Sequence, residues 1–266
     1  MASAPATISS DAISKKFAAL KSAGRRALIP YITAGHPDAE RTIDLLHALT
    51  DAGADIIELG LPFSDPLADG PVIQASSQRA LELGMNFDRL LELVRRAKPR
   101  VPLVLFSYLN PVLAAGADAL TRAADAGFNG ILVTDLPVGA DPSRESWVGG
   151  SPLEFIRLVA PTTPADRMKE IASHGSGFVY LISRLGVTGM RDTMSADLPA
   201  TVKQLRDASA LPVAVGFGVS RPDQAASVAR IADGVVVGSA IVKAAGESVE
   251  AAAKLTADLR AAIDAV

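Results

Sequence analysis

The chain contains no cysteine, which excludes a disulfide framework, a thiol nucleophile and any thiolate metal site. Histidine is nearly as scarce, and His36, His47 and His174 stand too far apart in sequence to show a metal-ligand spacing. Long apolar runs are missing too: no stretch reaches about 18 uninterrupted apolar residues, so no membrane span is expected. The start, Met1-Ala2-Ser3-Ala4-Pro5-Ala6-Thr7, lacks the charged lead and apolar core of a signal peptide. Charge of one sign is also lacking. The net charge is −3, and Lys and Arg do not gather into a patch, which argues against a nucleic-acid partner. No serine sits in a nucleophile-elbow pattern, and no lysine marks a strand end as a Schiff-base former. These absences lead to the expectation of a soluble, cytoplasmic protein that binds no metal or nucleic acid.

What is present is a packed-core composition, 49% hydrophobic, with helical and extended patterns alternating from end to end. A helix is expected over Asp11–Ala23, with Ile13, Phe17 and Leu20 on one face and Gly24 as its stop. Strands follow at Ala27–Thr33, Ile56–Leu59, Leu103–Ser107, Gly130–Thr134, Phe155–Val159, Phe178–Ile182, Val213–Gly216 and Gly234–Val237. Between and after them, helical spacing covers Glu40–Ala52, Val72–Leu83, Phe87–Ala97, Asp118–Ala126, Asp166–Ser173, Leu198–Ser209, Pro222–Arg230 and Ser248–Ile263. Ser220 is read as the cap of the helix over Pro222–Arg230, with Asp223 three residues on. Val138–Ser151, with four Gly or Pro residues, gives little support to a helix between strands four and five. Eight Val-, Ile- and Leu-rich strands, each followed by helix, imply a parallel sheet. Their number and the length of 266 residues favour a single (β/α)8 TIM barrel with an additional N-terminal helix, one domain over 1–266 with no linker inside it.

Active sites of such barrels lie at the C-terminal ends of the strands. In Asp55-Ile56-Ile57-Glu58-Leu59-Gly60, Ile57 and Leu59 share the face that must meet helices, so Glu58 points inward. An inward carboxylate either finds a structural partner or has its pKa raised by burial, which is what general acid–base work needs; the second reading is favoured. The loop Pro62–Pro71 follows directly and brings Asp65 and Asp69 back over the same mouth. Either aspartate alone reads as turn chemistry, but a second carboxylate near Glu58 fits an acid–base pair. After strand six, Leu185–Met190 carries Gly186-Val187-Thr188-Gly189, a lid or an amide-lined turn. After strands seven and eight, Gly216-Phe217-Gly218-Val219-Ser220 and Gly238-Ser239-Ala240 offer backbone amides to an anion where this fold often holds phosphate. The residues thus point to metal-free acid–base chemistry on a phosphorylated small molecule.

Four segments, Ile29–Gly35, Ile57–Pro71, Gly186–Gly189 and Gly216–Gly218, resemble the signature stretches of tryptophan synthase α subunits, and the likeness runs from about Ile13 to the final helix. The resemblance implies retro-aldol cleavage of indole-3-glycerol phosphate to indole and glyceraldehyde 3-phosphate. It implies Glu58 as the acid–base residue and Asp69 as the acceptor of the indole N–H. Thr188 matches the lid residue, Gly189, Gly218, Gly238 and Ser239 match the phosphate cradle, and Tyr31, Tyr180 and Phe217 match pocket walls. It also implies a β subunit as partner in an α2β2 complex, contacted through Asp65. The pyridoxal phosphate belongs to that partner, and no cofactor is implied here. Two departures stand out: Val138-Gly139-Ala140-Asp141-Pro142 replaces a common Pro-Glu-Glu stretch and its helix, and His36, given no role, stands where acidic residues are common. A stand-alone indole-3-glycerol phosphate lyase shares these motifs. Another phosphate-handling barrel, or a subunit that only regulates a partner, fits them less well.

Overall fold

The structure, a computed structural model, describes residues 11–182, 197–216 and 218–266. Strands β1 (Ala27–Thr33), β2 (Ile57–Gly60), β3 (Leu103–Ser107), β4 (Gly130–Val133), β5 (Glu154–Val159), β6 (Val179–Ile182), β7 (Val213–Gly216) and β8 (Gly234–Val237) pair in parallel in chain order. β8 returns to β1, closing the barrel. Around it run α1 (Ala12–Ser22), α2 (Ala39–Asp51), α3 (Pro71–Glu82), α4 (Phe87–Ala97), α5 (Leu109–Ala114), α6 (Ala119–Ala126), α7 (Pro142–Gly149), α8 (Ala165–Ser173), α9 (Leu198–Ala208), α10 (Pro222–Ala229), α11 (Ser239–Glu247) and α12 (Val249–Asp264).

Strand alternation divides the core in two. Ile57, Leu59, Leu103, Leu105 and Ile131 join the helices in the outer cluster, while Ile29, Tyr31, Val104, Phe106 and Leu132 fill the barrel. Helix α1 closes the N-terminal end with Ile13, Phe17 and Leu20, and the Phe17 ring lies 5.4 Å from that of Phe178. The Glu154 carboxylate caps this helix, accepting from the Ile13 amide at 2.7 Å, the Ser14 amide at 3.1 Å and the Ser14 hydroxyl. An acceptor there satisfies amides that have no partner within the helix.

The N-terminal rim carries one device four times. Asp55 donates its amide to Leu28 O at 2.9 Å and accepts the Leu28 amide on Oδ2 at 3.0 Å, forming a two-bond ring. Asn129 does the same with Leu103 (2.8 and 2.9 Å), Ser176 with Phe155 (2.9 and 2.7 Å) and Asp233 with Val213 (2.8 and 2.9 Å). Each ring uses a short polar side chain ahead of an even strand to satisfy the odd strand before it, where the ladder alone leaves an amide over. Asp55 has a further partner in Arg260 of α12, whose Nη1 also donates to Arg26 O, both at 3.0 Å.

Three helices depart from the sequence reading. α7 is present between β4 and β5: Asp141 caps it by accepting from the Ser143 and Arg144 amides at 3.1 and 3.0 Å, and Pro142 takes the first turn, where its missing N–H costs nothing. Buried Arg157 of β5 holds α7 down, donating to Glu145 at 3.1 Å and to Leu136 O at 3.2 Å. α5 and α11 are additional. The cap of α10 is also corrected: Arg221, not Ser220, is its N-cap residue, and Gln224 Oε1 reaches back to the Ser220 and Arg221 amides at 2.9 and 3.2 Å.

Candidate active site

Glu58 sits inside the barrel on β2, 1% exposed, and among the described residues its Oε1 has no hydrogen-bond partner. Burial pushes its pKa up to about 8, so the carboxyl holds its proton at neutral pH. Tyr31 of β1 is its register neighbour. The Tyr31 ring crosses over Gly60 so closely that a Cβ there would lie 2.1 Å from the hydroxyl. The same relation recurs across the pocket, where a Cβ on Gly216 would lie 2.1 Å from the Tyr180 hydroxyl. In each case the glycine pairs with the residue two positions beyond the tyrosine, Thr33 or Ile182. Glycine is required at both places for space. Phe106 meets Tyr31 edge-on, with centroids 5.1 Å apart and planes at 74°.

Both phenols are held above the usual tyrosine range, first by burial and then by the charges of Asp69 and Glu58. Since each feels both carboxylates, the four groups share one space at the barrel mouth.

Asp69 enters from the loop between β2 and α3 and is 6% exposed. The Tyr108 hydroxyl, just past β3, donates to its Oδ2 at 3.0 Å and accepts the Ala68 amide at 2.9 Å. Gln74 of α3 donates to Asp69 O at 2.9 Å and Pro66 O at 3.3 Å, drawing the loop onto the helix. Burial raises the Asp69 pKa to about 6, while the Tyr108 bond works the other way. At neutral pH the pocket therefore holds one protonated and one ionised carboxyl. Sequence reasoning passed over Tyr108. Its signal was a position directly after a strand, where this fold places its chemistry.

The proposed anion loops have distinct geometries. Gly238 is the N-cap of α11 and Ser239 its first residue, so the amides here form a helix N-terminus, a ready place for a phosphate. Gly238 lies against Tyr31, since a Cβ on it would be 3.9 Å from that of the tyrosine. Gly218 has φ +94°, a left-handed conformation in which only glycine is unstrained. Thr188, Gly189 and Phe217 lie outside the described residues. Asp65 is exposed near the tip of the Asp69 loop, accepting from the Ser64 hydroxyl at 2.9 Å, and Leu67 beside it is 85% exposed. His36 is half-buried on the loop after β1, where burial and the Arg79 charge lower its pKa. Among the described residues there is no cluster of three acidic or histidine side chains for a metal, and no helix long and apolar enough to cross a membrane.

Taken together, the arrangement is that of a (β/α)8-barrel enzyme site with two buried carboxyls of raised pKa beside a helix N-terminus. The model of the family described as tryptophan synthase alpha chain matches residues 17–265. The Arabidopsis thaliana tryptophan synthase alpha chain is 45% identical over 240 residues, 89% of this chain and 87% of that one. The crystal structure of the Legionella pneumophila tryptophan synthase subunit alpha superposes with a TM-score of 0.86 at 37% identity, over 96% of this chain and 98% of that one. A structure of Mycobacterium tuberculosis tryptophan synthase gives 0.86 at 36% identity, over 94% and 97%. The chain belongs to the tryptophan synthase alpha chain family, the lyases of tryptophan biosynthesis.

Proposed function

We propose that the pocket between Glu58 and Asp69 is where this chain cleaves indole-3-glycerol phosphate. The observation that carries the reading is Glu58 itself, buried, unpartnered on Oε1 and raised to about 8. Holding its proton at neutral pH, it acts first as an acid, delivering the proton to indole C3. The Asp69 carboxylate accepts a hydrogen bond from the ring N–H and offsets the positive charge that protonation creates. Glu58, now ionised, takes the proton from the hydroxyl on the adjacent glycerol carbon. That carbon becomes the aldehyde of glyceraldehyde 3-phosphate as its bond to C3 breaks, and the bonding pair returns to the ring as indole. One proton leaves Glu58 and one returns, so the site is regenerated.

Tyr31 and Tyr180 line the pocket against the ring, with Phe217. Gly218, Gly238 and Ser239, with Gly189, receive the phosphate through backbone amides. The resemblance to the family gives Thr188 the role of lid residue over the Asp69 loop. The family implies a β subunit, which takes up the indole; an α2β2 assembly contacted through Asp65 is the form proposed, at work in the cytoplasm. The test supplies indole-3-glycerol phosphate to the purified chain and measures indole with and without a tryptophan synthase β subunit. Slow release alone and strong activation by the β subunit are expected. No indole in either case overturns the reading, and full turnover without the partner would identify a stand-alone lyase.

A further inference from the structure

The two carboxylates stand on different elements: Glu58 on β2, and Asp69 on the lead-in to α3. Their relation therefore depends on what fixes α3 to the barrel. Gln74 ties the Asp69 loop to α3, so wherever the helix sits, Asp69 follows. The helix reaches into the mouth with Ile73, whose Cδ1 would lie 3.8 Å from a Cβ on Gly238. One turn on, Ser76 is 1% exposed, and its hydroxyl lies 2.7 Å from Thr33 Oγ1 and 2.8 Å from Ile73 O. Either hydroxyl can be the donor in the Thr33–Ser76 bond. Thr33, also 1% exposed, is two residues beyond Tyr31 on β1 and pairs in register with Gly60, two residues beyond Glu58.

Serine is a poor choice for a helix interior, and a buried hydroxyl pair contributes little net stability over two apolar groups of the same shape. What it adds is direction. An apolar contact lets a helix slide by fractions of an ångström, whereas a hydrogen bond loses its energy when length or angle drifts. We infer that the Thr33–Ser76 hydroxyl pair is a positioning link that sets the stance of α3, and hence of Asp69, relative to Glu58. The link rests on the proposed lyase reading, since it gives Asp69 a partner in the same reaction.

The test uses the full chain with a β subunit, and compares Thr33→Val and Ser76→Ala, alone and together, with Thr33→Ser. Each hydroxyl deletion should lower kcat for indole release about tenfold with KM little changed, as expected for misplacement of a reacting group without loss of substrate contacts. The double variant should be no worse than either single one, and Thr33→Ser should keep most of the wild-type rate. If the deletions lower Tm but leave kcat per folded molecule unchanged, the pair is structural and the inference falls. Additive losses in the double variant overturn it as well. If the wild-type protein itself releases no indole, the lyase reading fails and takes the link with it. Reading the two deletions separately guards against one of them failing to fold.

Discussion

The two ends of the barrel treat a buried carboxylate in opposite ways. At the N-terminal rim Glu154 is 5% exposed and receives two amides and a hydroxyl, while Asp55 at 7% receives an amide and the Arg260 guanidinium. At the C-terminal mouth Glu58 is more deeply buried than either, and its Oε1 has no partner among the described residues. Burial raises Glu154 also, but its hydrogen bonds pull it back; nothing of the kind offsets the burial of Glu58. Depth of burial alone therefore does not distinguish structural from chemical carboxylates. Between the two glutamates the difference lies in the donors the fold supplies, three groups for Glu154 and none for Glu58 Oε1 among the described residues.

The contrast is most sharply broken or upheld at Glu58. Glu58→Gln should lower kcat for indole release by about a thousandfold, the scale of a lost acid–base group. It should also stabilise the protein in alkali. The folded state holds the Glu58 proton up to about pH 8 while the unfolded chain releases it near 4.5. The residue's contribution to stability thus declines as pH rises through that window. Thermal melts at about pH 9 should place the variant above wild type; a variant that melts lower there would show that Glu58 has a structural partner after all. Arg260→Met makes the converse change at the rim, leaving the Asp55 charge with one amide. A loss of about 3 kcal/mol is expected, seen as a fall in Tm with kcat per folded molecule preserved; a large fall in kcat would dissolve the division between the two ends. The gentlest test is titration. The profile of kcat/KM should fall below about pH 6 as Asp69 gains a proton and above about pH 8 as Glu58 loses its own. One unit outside either limit costs roughly tenfold. A profile flat from 5 to 9 would remove both groups from the chemistry.

Much of this was legible in the residues. The eight strands follow from their apolar runs, their closure from their number in a chain of this length, and the inward turn of Glu58 from alternation, because a parallel barrel strand must show an apolar face to its helices. What escaped depended on contacts distant in sequence. Tyr108 reads as an ordinary aromatic until β2 and β3 are placed side by side and Asp69 is folded back beneath it. α7 was hidden because Gly and Pro were weighed as breakers, although Asp141-Pro142 is a helix start. α5 holds Pro111 in its first turn for the same reason. α11 was missed because Ser239–Ala240 read as a turn, yet it is this helix that turns Gly238 and Ser239 into an N-terminus. Thr188, Gly189 and Phe217 stand on the resemblance alone.

The four rings at the N-terminal rim carry a consequence for how such a chain is assembled. Each clasps an odd strand to the even strand after it, through a side chain that belongs to the pair itself, and among the described residues none spans β2 to β3, β4 to β5 or β6 to β7. Seen from below, the barrel is four fastened couples rather than eight equivalent staves. Its modular unit is strand, helix, strand, beginning on an odd count. A gene that duplicates, exchanges or splits this protein at the seams between couples leaves every clasp intact.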